Sequence, residues 1–248
     1  MKATGAKTRR IALISLFAVL STVLDSIVAP GLSSGVWYGW VFVMSPITGI
    51  LLGPKDGFIA TLISVMVGHS LVFRETVYEY IFTIGAPVGS LISGLVFRGD
   101  RGKVLIYYTF MLSSYFITQV SRSLPLWGMW DVYFAYIVLW VVVVLDGVRM
   151  PGFEVKTRNL FALCAFLGLE ADILFRIFVL VPCRAYEHFY SLTPEALALL
   201  WAVPAPLITP IKVALSVLVA ATIGPPIMGI LKESGLFPLD RLKEDSVD

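Results

Sequence analysis

Residues 51–70 read LLGPKDGFIATLISVMVGHS. Two apolar runs meet across Gly53-Pro54-Lys55-Asp56-Gly57, and the second carries His69, one of 2 histidines in the chain. Glycine supplies a permissive backbone and proline a fixed one, so these five residues predict a tight turn. The runs either side lack the alternation of a barrel strand. They read as helices, because lipid offers a backbone no partner outside a helix or a closed barrel.

The rest of the chain agrees. It has 248 residues, 58% hydrophobic and 15% charged, with mean hydropathy +0.86. A soluble domain carries about 25% charge. The solvent implied is a bilayer, and the chain is expected in the cell membrane. The net charge of +2 is no argument for nucleic acid. The first run, Ile11 to Ala29, is too long for a signal-peptide core and has no small-residue cleavage site. Cys164 and Cys183 lie about 28 Å apart along one helix by its rise, too far to pair.

Eight apolar runs are legible: 11–29, 36–52, 57–73, 77–97, 103–121, 132–148, 159–182 and about 206–231. Most match the roughly 17–25 residues a span needs. Their connections alternate in charge. One set carries Lys2, Lys7, Arg9, Arg10, Lys55, Arg98, Arg101, Lys103, Arg149, Lys156, Arg158, Lys232, Arg241 and Lys243. The other carries Arg74, Arg122 and Arg184. The positive-inside rule puts the first set, and both termini, in the cytoplasm, which requires an even number of spans. The expectation is an all-α, polytopic membrane bundle over 1–232 with about eight transmembrane helices, followed by a short polar tail over 233–248.

The outer connections hold aromatics: Trp37, Tyr38 and Trp40, then Trp127, Trp130 and Tyr133, then Tyr186 and Tyr190. They read as an interfacial belt or as the mouth of a pocket. Thr193-Pro194-Glu195 has the order N-cap, first helical residue, acidic first turn. It predicts a short outer helix to about Ala202, broken by Pro204, Pro206 and Pro210.

Span two ends Ser45-Pro46-Ile47-Thr48-Gly49-Ile50-Leu51-Leu52-Gly53, and span four contains Ala86-Pro87-Val88-Gly89-Ser90-Leu91-Ile92-Ser93-Gly94. In both, proline precedes glycine by seven residues. A basic N-terminus runs straight into span one through Arg9-Arg10-Ile11-Ala12-Leu13. With Leu52-Gly53-Pro54-x-x-Gly57 and a span bearing Gly68, this pattern resembles the substrate-binding S components of energy-coupling factor transporters. The resemblance covers 9–97 well and 159–232 loosely. It implies uptake of a vitamin or other micronutrient, with a coupling membrane subunit and two cytoplasmic ATPases as partners. Such proteins typically have six spans, so 103–148 is the candidate for an extra hairpin. The resemblance also implies docking through small residues on the first helix, for which Ala12, Ser15 and Ala18 are candidates.

Ionisable groups at membrane depth are costly and face a cavity or a partner. Asp172 and Arg176, four apart, share a helix face. Glu170 points elsewhere, with Lys212 as candidate partner. By helix rise, Lys212 and Arg176 lie at similar depth, about 9 Å below the outer end. Asp25, His69, Glu79, Trp37 and Trp40 fall in the same leaflet. Together these predict an outward-facing solute pocket. Metal-ligand spacing is absent. So are G-x-x-x-x-G-K-[ST], H-E-x-x-H and G-x-S-x-G, so nothing predicts ATP hydrolysis by the chain itself, another enzymatic role or a cofactor. Two other readings stay open: a secondary transporter whose buried acids relay ions, and an intramembrane enzyme.

Overall fold

The computed structural model describes residues 2–27, 39–72, 79–148 and 156–237. Among the described residues the chain is all-helical, with no strand. Each of the eight apolar runs contains a helix. They are α1 (Lys2–Ser26), α2 (Val41–Leu52), α3 (Pro54–Leu71), the pair α4 (Glu79–Thr83) and α5 (Gly85–Phe97), α6 (Arg101–Ile117), α7 (Trp130–Val148), α8 (Thr157–Leu180) and α11 (Pro204–Glu233). Between the last two lie α9 (Ala185–His188) and α10 (Pro194–Ala202).

Three helical stretches, Glu79–Phe97, Leu126–Leu145 and Pro204–Glu233, are long and apolar enough to cross a membrane by length and composition. By that measure three of the eight runs contain a candidate span among the described residues. Helix α2 has 12 residues. That is about 18 Å of rise against a hydrocarbon core of about 30 Å. Helix α8 has 24 residues but carries Glu170, Asp172 and Arg176. Large apolar side chains stay exposed on outer faces, among them Ile11 and Val19 on α1, Ile106 and Phe110 on α6, and Ile137 and Val144 on α7. An apolar surface of this extent is compatible with contact to lipid.

The opening stretch folds more tightly than a five-residue turn. Only Gly53 lies outside a helix, at φ 87° and ψ 169°, a region essentially closed to other residues. Pro54 is the first residue of α3, and Gly57 N–H already donates to Gly53 O at 2.8 Å. Asp56 sits in this first turn, where the helix dipole favours a carboxylate. Arg10 clamps it through Nε at 2.6 Å and Nη2 at 2.5 Å. That hydrogen bonding, then the charge of Asp56, holds the Arg10 guanidinium above its ordinary value.

Glycines and serines make the central seam. A Cβ on Gly57 would lie 2.6 Å from the Gly49 Cα, and one on Gly94 would lie 2.7 Å from the Gly49 carbonyl oxygen. One on Gly168 would lie 2.7 Å from the Gly89 carbonyl oxygen. Helices α2, α3, α5 and α8 therefore approach at backbone distance, as small residues permit in lipid. The Pro–Gly echo of the sequence falls on this seam.

Helix α10 starts as its sequence predicts: Thr193 Oγ1 accepts from Ala196 N–H at 3.3 Å, and Pro194 follows. The prolines after it act differently from expectation. Only Val203 interrupts the helix, and Pro204 opens α11. At a helix start a missing N–H costs nothing. Pro210 lies inside α11 rather than breaking it. At the other end the expected tail begins by turning back: Phe237 is buried under Lys232.

Candidate functional site

Six elements place ionisable side chains around two adjoining cavities. The smaller, about 30 Å³, is lined by Asp25, His69, Glu79, Thr83, Asp172, Arg176 and Lys212, with Gly39, Val41, Phe42 and Val65. The larger, about 330 Å³, shares Glu79, Arg176 and Lys212 and is otherwise mostly apolar. Its volume lies in the range of small-molecule sites.

The pairs are specific. Arg176 Nε donates to Asp172 Oδ1 at 2.6 Å, one turn apart on α8. Both side chains need room, and Gly85 provides it: a Cβ there would lie 3.1 Å from Arg176 Nε. His69 bridges two elements, with Nδ1 at 2.7 Å from Asp25 Oδ2 and Nε2 at 2.6 Å from Thr83 Oγ1. Gly68 makes this close approach possible, since a Cβ on it would lie 2.9 Å from the Asp25 Cβ. Glu79 accepts from the Tyr190 hydroxyl at 2.6 Å. Lys212 Nζ lies over the Phe42 ring, 5.4 Å from its centre, a cation–π contact.

Two sequence expectations change here. Glu170 and Lys212 are not partners. Glu170 is fully buried, lines neither cavity, and both its carboxyl oxygens lack a hydrogen-bond partner. Two residues of helix turn it about 200° from Asp172, toward α7. Lys212 instead shares the field of Arg176 and Asp172. Trp40 lines neither cavity; it stacks on Phe42 at 6.0 Å and so supports the ring beneath Lys212. Trp37 lies outside the described residues. On α1, Ala12 and Ser15 face outward, whereas Ala18 is buried within the bundle.

Sequence reasoning missed Asp131, Thr209 and Trp201, which all line the larger cavity. Asp131 stands one residue before the apolar run 132–148 and reads as part of a loop. The signal available was the spacing Ala205, Thr209, Lys212, which puts three residues on one face of the last helix.

No protein-family model, curated protein or solved structure matches the chain.

Proposed function

We propose that this chain is a solute-binding integral membrane protein, the subunit that captures a micronutrient for an ATP-driven importer of energy-coupling factor type. The supporting observation is the join between the two cavities. Glu79, Arg176 and Lys212, from three elements far apart in sequence, stand at that join beside an apolar chamber of about 330 Å³. Structural ion pairs alone need no chamber. A solute site needs an apolar wall with a few converging polar groups.

In this reading the eight runs are arranged across the membrane with both termini cytoplasmic, as the distribution of basic residues favours. The six-helix S-component pattern then carries an additional hairpin, α6–α7. The cavities lie in the outer half, and Ala12 and Ser15 offer the exposed small positions toward a coupling subunit. Energy comes from partner ATPases.

The Asp25–His69–Thr83 chain gives a second reading some footing, because a buried imidazole between two oxygens can pass a proton. In that case the protein would transport alone, driven by an ion gradient.

The test is purification in mild detergent followed by mass spectrometry of the released small molecules and of associated proteins. The reading expects a stoichiometric polar solute, lost in Lys212→Met with the fold retained, and copurifying ATPases. Gradient-driven uptake by the chain alone in vesicles would replace it with the secondary-transporter reading.

A further inference from the structure

The acids lining the larger cavity are answered unequally. At the join with the smaller cavity the acids have cations to answer them. Arg176 lies in the field of Asp172, Glu79 and Asp25. Lys212 stands beside it, and His69 meets Asp25 directly.

Asp131, which meets Thr209 one turn before Lys212 on α11, has no such partner among the described residues. Asp131 is 3% exposed and lines the cavity. Its Oδ1 accepts the Val132 N–H at 3.0 Å, and its Oδ2 meets the Thr209 hydroxyl. Among the described residues no lysine, arginine or histidine forms an ion pair with it. The Thr209 hydroxyl also lies 2.8 Å from the Ala205 carbonyl oxygen, the usual backward bond of a helical threonine. One hydroxyl hydrogen cannot serve both oxygens at once, so the Val132 N–H is the one uncontested donor to Asp131. Glu170, itself without a hydrogen-bond partner, lies within electrostatic reach of Asp131. A buried acid with one uncontested donor and no cation can take a positively charged donor from an occupant.

Resting on the solute-binding reading above, we propose that Asp131, supported by Thr209, anchors a protonated amine of the solute, and that the cavity takes small amphipathic amines. An ammonium brings both the missing charge and up to three donors. Met129, Ile173, Ile177, Leu200 and Trp201 wall the cavity, and suit an apolar or aromatic body. A chamber of about 330 Å³ lies at the lower end of the small-molecule range, which suits a compact bicyclic body. A second polar group on the solute then falls near Lys212.

Three probes share one bicyclic body: tryptamine, tryptophan and indole-3-propionate. Equilibrium binding of each is measured on the purified full chain, on Asp131→Asn and on Thr209→Val, with melting of the empty proteins as a folding control. Both amines are expected to bind the wild type at least tenfold more tightly than indole-3-propionate. Asp131→Asn should weaken the amines tenfold or more and leave indole-3-propionate unchanged, with Thr209→Val weakening the amines less. Amine binding unaffected by Asp131→Asn in a folded protein overturns the proposal, as does binding of none of the three. Indole-3-propionate bound as tightly as the amines, and lost in Lys212→Met, also overturns the amine class while sustaining the solute-binding reading.

Discussion

Asp172 and Arg176 meet at 2.6 Å beneath a glycine, Gly85, whose missing side chain is what lets the pair exist. The Asp172 side chain is 2% exposed and that of Arg176 30%. Arg176→Met strands a buried carboxylate, and such losses cost about 3–5 kcal/mol. Adding Asp172→Asn should recover most of that. Thermal melting of the two variants in detergent checks it; equal destabilisation by both would show that Arg176 acts through packing alone.

Lys212→Met keeps most of the side-chain volume and removes the charge. If the ammonium holds a polar group of the solute, affinity for the copurifying molecule should fall by about 2–5 kcal/mol, as for truncated buried charge contacts. Titration of that molecule onto wild type and variant gives the answer. Unchanged affinity in Lys212→Met and Arg176→Met alike removes both from the pocket's recognition surface.

Orientation is checked by labelling single cysteines in intact cells. Cys183 is exposed and Cys164 buried, so Cys183→Ser is the required background. An impermeant maleimide should label position 122 and spare position 55. The reverse pattern would invert the topology.

Coupling should depend on the outward face of α1. Ser15→Trp is expected to weaken association with a coupling subunit and leave solute affinity intact, since a bulky side chain holds two helix backbones apart. Ala18→Trp tests a different thing: Ala18 is buried within the bundle, so it should fail in folding first. Copurification yield and melting temperature, read together, separate these effects.

The glycine seam should tolerate no side chain. A Cβ on Gly168 would press on Ser93 and lie 2.7 Å from the Gly89 carbonyl oxygen. Gly168→Ala is expected to cost about 1–3 kcal/mol, the scale of overpacking. A melting temperature equal to wild type would mean that α5 and α8 separate easily.

Much of this was legible in the sequence, for a physical reason in each case. Apolar runs mark helices because lipid forbids other exposed backbone. Asp172 and Arg176 show their pairing through a four-residue spacing. Asp131 was hidden because its burial depends on a distant segment. Trp127 Nε1–H donates to the Ala202 carbonyl at 3.3 Å and Trp130 Nε1–H to that of Pro206 at 3.1 Å, drawing α10 and the start of α11 over the acid. No local pattern encodes that closure. The partner assigned to Glu170 failed for the same reason: spacing gives the direction of a side chain along its own helix, not what stands opposite.

The single non-helical residue at Gly53 has a mechanical consequence. Helices α2 and α3 meet there with no slack, and the Arg98 guanidinium is packed against that glycine. Asp56, three residues on, is clamped to Arg10, so the start of α3 is tied to α1 as well. Any residue that cannot hold φ 87° at position 53 would therefore shift α1, α2 and α3 together.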